Sequence, residues 1–250
     1  MCYYKLNEFT ALFRIHFIQK NYCKPDGLGR VKVKFYWAGG STKSDWMSML
    51  QPHSVAGKGF YFIPEIGEEV LVGFEGNNAQ NPYVLGSQYN GSESSGYADG
   101  ENNVKAIHTR SGTKIIMNDS EGSILIEDPS GNTYSMDGQG NIVVTAPKNM
   151  TFEVGEDLII NVGKNMTTQV GEDSTMDVGK NQTITVTEKL SLQGQEYKQS
   201  IDENKTVTIG GDLKETTATT THKAIGGDII IKSAGVAKLL GATDAKVNIG

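Results

Sequence analysis

Four carboxylate or amide side chains recur at a spacing of eight: Asp157, Asn165, Asp173 and Asn181. A column of such oxygens is what a calcium-binding roll uses, but that roll takes a nine-residue unit with two glycines and an aspartate in each. Here the period is eight and half of the positions are amides, so hydrogen bonding of Asx side chains at chain corners is the better account. Glu65, Glu68 and Glu69 crowd into IPEIGEEV, where two carboxyls could share acid and base roles. The context reads instead as a solvated turn between strands. His53 and His108 have no sequence neighbour that completes a metal set or a triad, and each reads as a surface or packed histidine. Cys2 and Cys23 lack metal or redox spacing and read as free thiols, which suits synthesis in a reducing compartment. No G-x-S-x-G, P-loop or H-E-x-x-H motif occurs. The sequence therefore nominates no catalytic residue, no cofactor-binding residue, no metal ligand and no cofactor, and points away from an enzyme.

What remains is the spacing itself. VGEDLIIN, VGKNMTTQ, VGEDSTMD and VGKNQTIT follow one another from Val154 to Thr185, each opened by a valine and a glycine. An octad misses the helical periods, and a Gly with a Thr or a β-branched residue in every unit disfavours a helix. Counting the valine as one, positions one, five and seven are mostly apolar, as in Val154, Leu158 and Ile160. Positions six and eight are mostly polar or β-branched, as in Thr167, Thr175, Asn161 and Gln169. Each unit is one strand with an inner and an outer face. Gly155, Gly163, Gly171 and Gly179 mark the corners. The pattern extends back to Asn149 and Asn141, and forward through VTEKLSLQ. It then slips by one residue and restarts at Ile201, Ile209 and Ile225, where a bulge or shortened corner is expected.

Eight residues span at most about 26 Å at ~3.3 Å each, so one unit makes one face of a coil. A single chain winding three units per turn could close such a coil, or three chains could each supply one face per layer. The units alternate in charge, Glu156-Asp157, Lys164-Asn165, Glu172-Asp173, Lys180-Asn181. In the trimer each octad lies beside the next octad of a neighbouring chain, so acidic and basic units meet at every step. A lone chain would stack octads three apart and also pair opposite signs. The shortness of the octads, with few side chains to fill a coil, decides for the homotrimer.

Upstream, alternation sets Val31, Val33, Phe35 and Trp37 on one face, after a Pro-Asp-Gly turn. Further strands are expected at 46–52, 59–64, 68–75 and 81–89, which together suggest a small β-barrel. The polar stretch 91–103 reads as a linker or loop, and short strands in VKAIHTRSGTKIIMND, SILIED, NTYSMD and NIVVTA lead into the octads. The fold class is all-β: a small barrel followed by an elongated intertwined trimeric β-helix. The expected divisions are 1–21 unassigned, 22–91 barrel, 92–103 linker, 104–137 strand-rich base, 138–233 octad rod and 234–250 tip. A barrel of this kind can bind oligonucleotide or oligosaccharide, with Tyr36, Trp37, Trp46, Phe60 and Tyr61 available to stack. Alternation places many of those rings in the core, and the net charge of −6 argues against nucleic acid. No apolar run approaches the ~18 residues of a membrane helix. LNEFTALFRIHFIQ, broken by Glu8, Arg14 and His16, is a poor signal peptide, so export would take another route.

KPDGLGRVKVKFYW, WMSMLQPHSVAGKGFYFIPEIGEEVLVGFE and NPYVLGSQYNG, in that order, resemble the OB-fold segment of VgrG spike proteins of type VI secretion. The likeness continues through TRSGTKIIMNDSEGSILIEDPSGN into the octads, which resemble the intertwined β-helix of VgrG and of phage tail spikes. It covers roughly 22–233. The resemblance implies a homotrimeric, cell-puncturing spike that carries effectors through a target envelope. It also implies a PAAR-type tip protein at the C-terminal end, and an Hcp-type tube protein and baseplate on the N-terminal side. Such a protein is made in the bacterial cytoplasm and exported to the medium or a target cell without a signal peptide. A phage or prophage tail spike of the same architecture is the alternative. Only about 21 residues precede the OB-like part, where a VgrG carries a large hub, so a truncated form or fragment is expected. The segment 91–103 is too short for an inserted lysozyme, no effector domain follows Gly250, and His222 stands alone where some phage spikes have a His-x-His tip.

Overall fold

The computed structural model describes residues 26–35, 43–238 and 240–241, together with the backbone of a strand at Phe13–His16. The chain divides into two compact units, Met1–Asn161 and Val162–Gly250. Among the described residues the regular structure is all β apart from one 3-10 turn at Glu75–Asn77.

The first unit opens on a five-stranded sheet. Its strands are β1 (Phe13–His16), β2 (Arg30–Val31), β3 (Met47–Met49), β6 (Glu69–Phe74) and β7 (Pro82–Ser87), in the order β1-β6-β7-β3-β2. β3 and β7 run parallel, and the other neighbours are antiparallel. The alternation seen in sequence does the packing. Val31 and Val33 from one segment meet Met47, Val70, Val72 and Val84, all six nearly inaccessible to solvent, with Phe35, Met49, Ile63 and Phe74 around them. Burying a Val or Met side chain contributes roughly 1.5–3 kcal/mol, so this small cluster is the main apolar stabilisation of the sheet. A bulge between Leu71 and Val72 shifts the β6–β7 register, so that Leu71 faces Gly86 and Val72 faces Val84. β1 lies in the stretch that sequence left unassigned, and pairs along β6 from Phe13 opposite Val72 to His16 opposite Glu69.

The strand expected at 59–64 is not formed. Instead β4 (Ser54–Val55) and β5 (Lys58–Gly59) make a minimal hairpin, and the chain leaves it extended but unpaired. Gly59 sits at φ 126°, where a Cβ would strike the His53 carbonyl oxygen at 2.3 Å. That backbone geometry diverts the chain just where the alternation of Phe60, Tyr61 and Phe62 suggested a strand. All three rings are more than half exposed.

A second five-stranded sheet follows, an antiparallel meander of β8 (Val104–His108), β9 (Lys114–Asn118), β10 (Ser123–Glu127), β11 (Thr133–Met136) and β12 (Ile142–Thr145). β12 lies past the junction expected between 137 and 138, so the sheet rather than the octad segment takes in 142–145. The register lines up Ile107, Ile115, Ile126, Tyr134 and Val144 as one row across all five strands. Lys105, Met117, Ile124, Met136 and Ile142 form a second row on the same face. The opposite face is mixed: a central row of Ala106, Ile116, Leu125, Ser135 and Val143 is flanked by the Lys114–Glu127 ion pair at 3.2 Å and by Asn118 and Thr133.

One turn design closes this sheet repeatedly. In 99–103, 109–113, 128–132 and 137–141 the first side chain (Asp99, Thr109, Asp128, Asp137) accepts a hydrogen bond from the backbone N–H of the fifth residue at 2.9–3.2 Å. The fourth residue has positive φ: Asn102 at 56°, Gly112 and Gly140 at 96°, Gly131 at 88°. A type I turn with a left-handed residue behind it matches the twist of the strands it joins. The accepted bonds hold these carboxyls ionised. Donation from Ser130 and Asn132 pulls Asp128 down to about 2 from its ordinary 3.8. Asp137 is lowered mainly by Asn141, and Asp99 mainly by the Asn103 N–H.

Candidate trimerisation site

From Pro147 onwards the described chain lies in no strand or helix, and every described residue is exposed. No backbone–backbone hydrogen bond joins described residues beyond Thr145. The chain nevertheless has a strict local geometry. It bends at 155–156, 163–164, 171–172, 179–180, 187–188 and 195, each eight residues after the last. The next bends, at 202–203, 210–211, 218, 225–227 and 234–235, resume the same step one residue early. The glycine corners expected from sequence are therefore bends, and the expected slip is a unit one residue short.

Side chains follow the octad. Val154, Val162, Val170, Val178 and Val186, each just ahead of a bend, expose 42–49% of their surface. Leu158, Ile160, Met166, Leu190 and Leu192 expose 59–72%. An apolar stretch this long, with no core and no paired backbone, has nothing to offset the conformational entropy of ordering it. Exposed contiguous apolar surface on this scale is the mark of an association site. The charges point the same way, since none of Glu156, Lys164, Glu172 and Lys180 forms an ion pair among the described residues.

Asp157, Asn165, Asp173 and Asn181 make no corner hydrogen bonds among the described residues. The Asx side chains that cap turns are Asp26, Asn78, Asn90, Asp99, Asn118, Asp128 and Asp137, all upstream of the octads. Capping needs a chain that folds back within two to four residues, and an open octad bend does not. The described residues contain no cluster of three or more His, Cys, Asp or Glu able to hold a metal ion.

The acidic triplet is split three ways. Glu65 is exposed and pairs with Arg110 of the turn after β8. Glu68 accepts a hydrogen bond from the Ser87 hydroxyl at 2.7 Å. Glu69 is only 4% exposed, which corrects its placement in a solvated turn: it is the first residue of β6, and its carboxylate accepts from the Asn90 side chain at 3.0 Å. His108 meets a partner that sequence did not suggest, Tyr97 from the expected linker. The phenol oxygen stands 2.9 Å from Nδ1, with the rings edge to face. His53 serves through its backbone, its carbonyl accepting from the Phe60 N–H. Trp46 is half-buried beneath the Lys32 ammonium, 5.0 Å from the ring centre. Phe60 and Tyr61, expected largely in the core, line an open groove of about 780 Å³ with Leu28, Met49, Val55 and Ile63. Lys58 is the one charged side chain lining that groove among the described residues, which is a poor setting for a phosphate backbone. Cys2, Cys23, Tyr36 and Trp37 lie outside the described residues.

Comparison with known proteins now fits this geometry. Residues 18–89, which hold β2 to β7, match the type VI secretion system/phage-baseplate injector OB domain. Residues 135–235, from β11 through the octads, match the bacteriophage T4 gp5 C-terminal trimerisation domain. The chain is thus similar to an injector OB domain in its earlier part and to a phage trimerisation domain in its later part, each over less than half of its length. Among curated proteins it is similar over part of its length to VgrG-type spike proteins of type VI secretion. It is 29% identical over 136 residues to the type VI secretion system spike protein VgrG1c of Pseudomonas aeruginosa, covering 53% of this chain and 18% of that protein. It is 30% identical over 90 residues to the spike protein VgrG3 of Vibrio cholerae, covering 34% of this chain and 9% of that protein. A third relative, the actin cross-linking toxin VgrG1 of Vibrio cholerae, is 31% identical over 86 residues, covering 33% of this chain and 8% of that toxin. The alignments thus span less than a fifth of each of these relatives.

Proposed function

We propose that this chain is a structural part of a cell-puncturing spike in a contractile injection apparatus of the type VI secretion kind, and that it acts by stiffness rather than catalysis. Three copies wind their octads into one triangular β-helix, each chain supplying one face per layer. Every strand then finds hydrogen-bond partners in its neighbours, and the closed section leaves no lateral edge. The observation that carries this reading is the bend every eight residues, with a half-exposed apolar side chain ahead of it, on a stretch where every described residue is exposed. The names of the matched family models and relatives support it. The barrel from 22 to 91, the base from 104 and the rod to 233 are then successive parts of one needle, with a tip at 234–250. A PAAR-type protein caps its C-terminal end, an Hcp-type tube and baseplate adjoin its N-terminal side, and effectors travel with it. It leaves the bacterial cytoplasm for the medium or a target cell without a signal peptide.

Export is the test. Tagged protein should reach the medium from a strain with an intact contractile sheath and stay inside an otherwise identical strain that lacks the sheath protein. Equal release from both strains rules the injection reading out.

A further inference from the structure

We propose that Asn90 is a site of spontaneous chemical modification. Its side-chain amide is converted to a carboxylate by attack of the next backbone nitrogen, and the product loosens the joint between the first sheet and the meander. The inference does not depend on how the chain assembles.

Asn90-Gly91 is the one Asn-Gly step in the sequence. Asparagine is among the thermolabile residues. Its own chain carries the nucleophile: the nitrogen of the next residue closes a five-membered ring on Cγ, and a tethered partner of this kind needs no collision. A side chain on the next residue shields that nitrogen, and glycine has none. Gly91 is exposed, and its N–H forms no hydrogen bond among the described residues.

The fold adds a second condition. The Asn90 Oδ1 accepts from the backbone N–H of Ser92 at 2.9 Å and from that of Glu93 at 2.8 Å. Two donors on one carbonyl oxygen draw charge from Cγ and stabilise the oxyanion that forms when a nitrogen adds to it. At the other end of the amide, Nδ2 donates to the Glu69 carboxylate at 3.0 Å. The amide is thus held at both ends while the attacking nitrogen stays open. In the reaction, hydroxide or water takes the Gly91 amide proton, and the nitrogen forms a bond to Cγ. The Cγ–Nδ2 bond breaks, and Nδ2 leaves as ammonia with a proton from water. A second water opens the ring at either carbonyl, giving aspartate or its isomer with the main chain routed through the side-chain carboxyl. Nothing is oxidised or reduced.

The aspartate product sets a carboxylate where the amide stood, against Glu69, which is only 4% exposed. Two carboxylates sharing one site cannot both ionise without cost. The isomer also lengthens the main chain by one methylene. Glu69 opens β6, and its backbone carbonyl accepts from the Gln88 N–H at 2.8 Å. The conflict therefore falls where β6, the end of β7 and the 91–103 stretch meet.

The experiment incubates the native full-length chain in mildly alkaline buffer and follows each asparagine by peptide mass and an isoaspartate assay. Asn78 and Asn118 are the internal controls, since both cap a turn through Oδ1 but precede Ala79 and Asp119. Position 90 should convert at least about tenfold faster than either, and Gly91→Ala should slow it by about tenfold or more. A Cβ at Gly91 meets nothing within 4 Å, and its φ lies outside the left-handed region, so that variant keeps the fold. Comparable rates at 90, 78 and 118, or a rate at 90 unmoved by Gly91→Ala, overturn the proposal. Conversion seen only after denaturation overturns it as well, because the native hydrogen bonds then protect the amide. The consequence is read with Asn90→Asp, which should lower the melting temperature by at least about 4 °C. Adding Glu69→Gln should recover most of that loss, since an amide again faces a carboxylate with the roles exchanged. An Asn90→Asp chain that melts as the parent does overturns the loosening.

Discussion

Replacing Val162 by Asp puts the octad argument under direct load. Val162 stands ahead of the bend at 163–164 and is 48% exposed in the single chain. Full burial of a valine contributes roughly 1.5–3 kcal/mol, so closing the trimer over its remaining half contributes about 1 kcal/mol per chain. Across three chains the substitution forfeits about 3 kcal/mol of apolar burial. It also places three carboxylates around one axis with no cation between them. The effective penalty for burying an unpaired ion is several kcal/mol, so the total loss is on the order of 10 kcal/mol or more per trimer. That rivals the whole stability of an ordinary domain, about 5–15 kcal/mol. Sedimentation of Val162→Asp should therefore show chains of 27.1 kDa or aggregates in place of a particle three times that mass. Circular dichroism should show lost β signal. Thr175→Asp, at an outward octad position, should sediment and melt as the parent does. If Val162→Asp sediments as a trimer and melts within a few degrees of the parent, position one does not face the axis and the inside-outside assignment is wrong.

Three further outcomes are expected. With Cys2 and Cys23 changed to serine, Glu156→Cys combined with Lys164→Cys should give a covalent trimer on a non-reducing gel after oxidation. Links found only within one chain would remove the intertwined register. Gly138→Ala should lower the melting temperature, because Gly138 has φ of 74° and a Cβ there would lie 2.0 Å from the Glu121 carbonyl oxygen. Strain of this kind costs roughly 1–3 kcal/mol, and an unchanged melting curve would contradict the turn geometry. Asp128, Asp137 and Asp99 are all more acidic folded than unfolded, so their stabilisation is complete above pH 3.8 and fades as the pH falls toward 2. The meander should loosen in that window, followed by Tyr134 fluorescence, and Asp128→Asn should flatten the acid response; a transition above pH 5 would point to other groups.

Much of this was legible from residue patterns because the pattern and the burial have the same period. Val31 and Val33, and Val70 and Val72, alternate in sequence and all enter the core. The Gly corners of the octads repeat in sequence and bend in space. Reading failed where a single backbone angle overruled alternation, as at Gly59, and where position in the sheet decided burial. Glu69 looks like part of an acidic turn, yet it opens β6, inside the strand expected at 68–75, and is buried there against the Asn90 side chain. β1 was invisible because FRIH alternates too briefly to stand out. The turn design was missed although its spelling was present: DPSGN and DGQGN share Asp, Gly and Asn at first, fourth and fifth places, and TRSGT keeps the form with threonines. The Tyr97–His108 contact left no signal, since nothing local forces a loop residue against a strand eleven positions on.

The octad that comes up one residue short, between the bends at 195 and 202–203, bears on how such a protein can change over generations. In an ordinary sheet, deleting one residue drags one strand against neighbours that have not changed, and every side chain beyond it faces the wrong way. In the threefold needle proposed above, made from one gene, the same deletion would occur in all three strands of a layer at once, and the strands would keep their alignment with each other. The loss is absorbed at a corner, Ile201 takes up the place of the valine, and the beat resumes above it. Whole octads can be added or dropped on the same terms, each changing the height by about one strand spacing, ~4.8 Å. The length of the shaft is thus open to inheritance in small, even steps, by the copying errors to which short tandem repeats are prone.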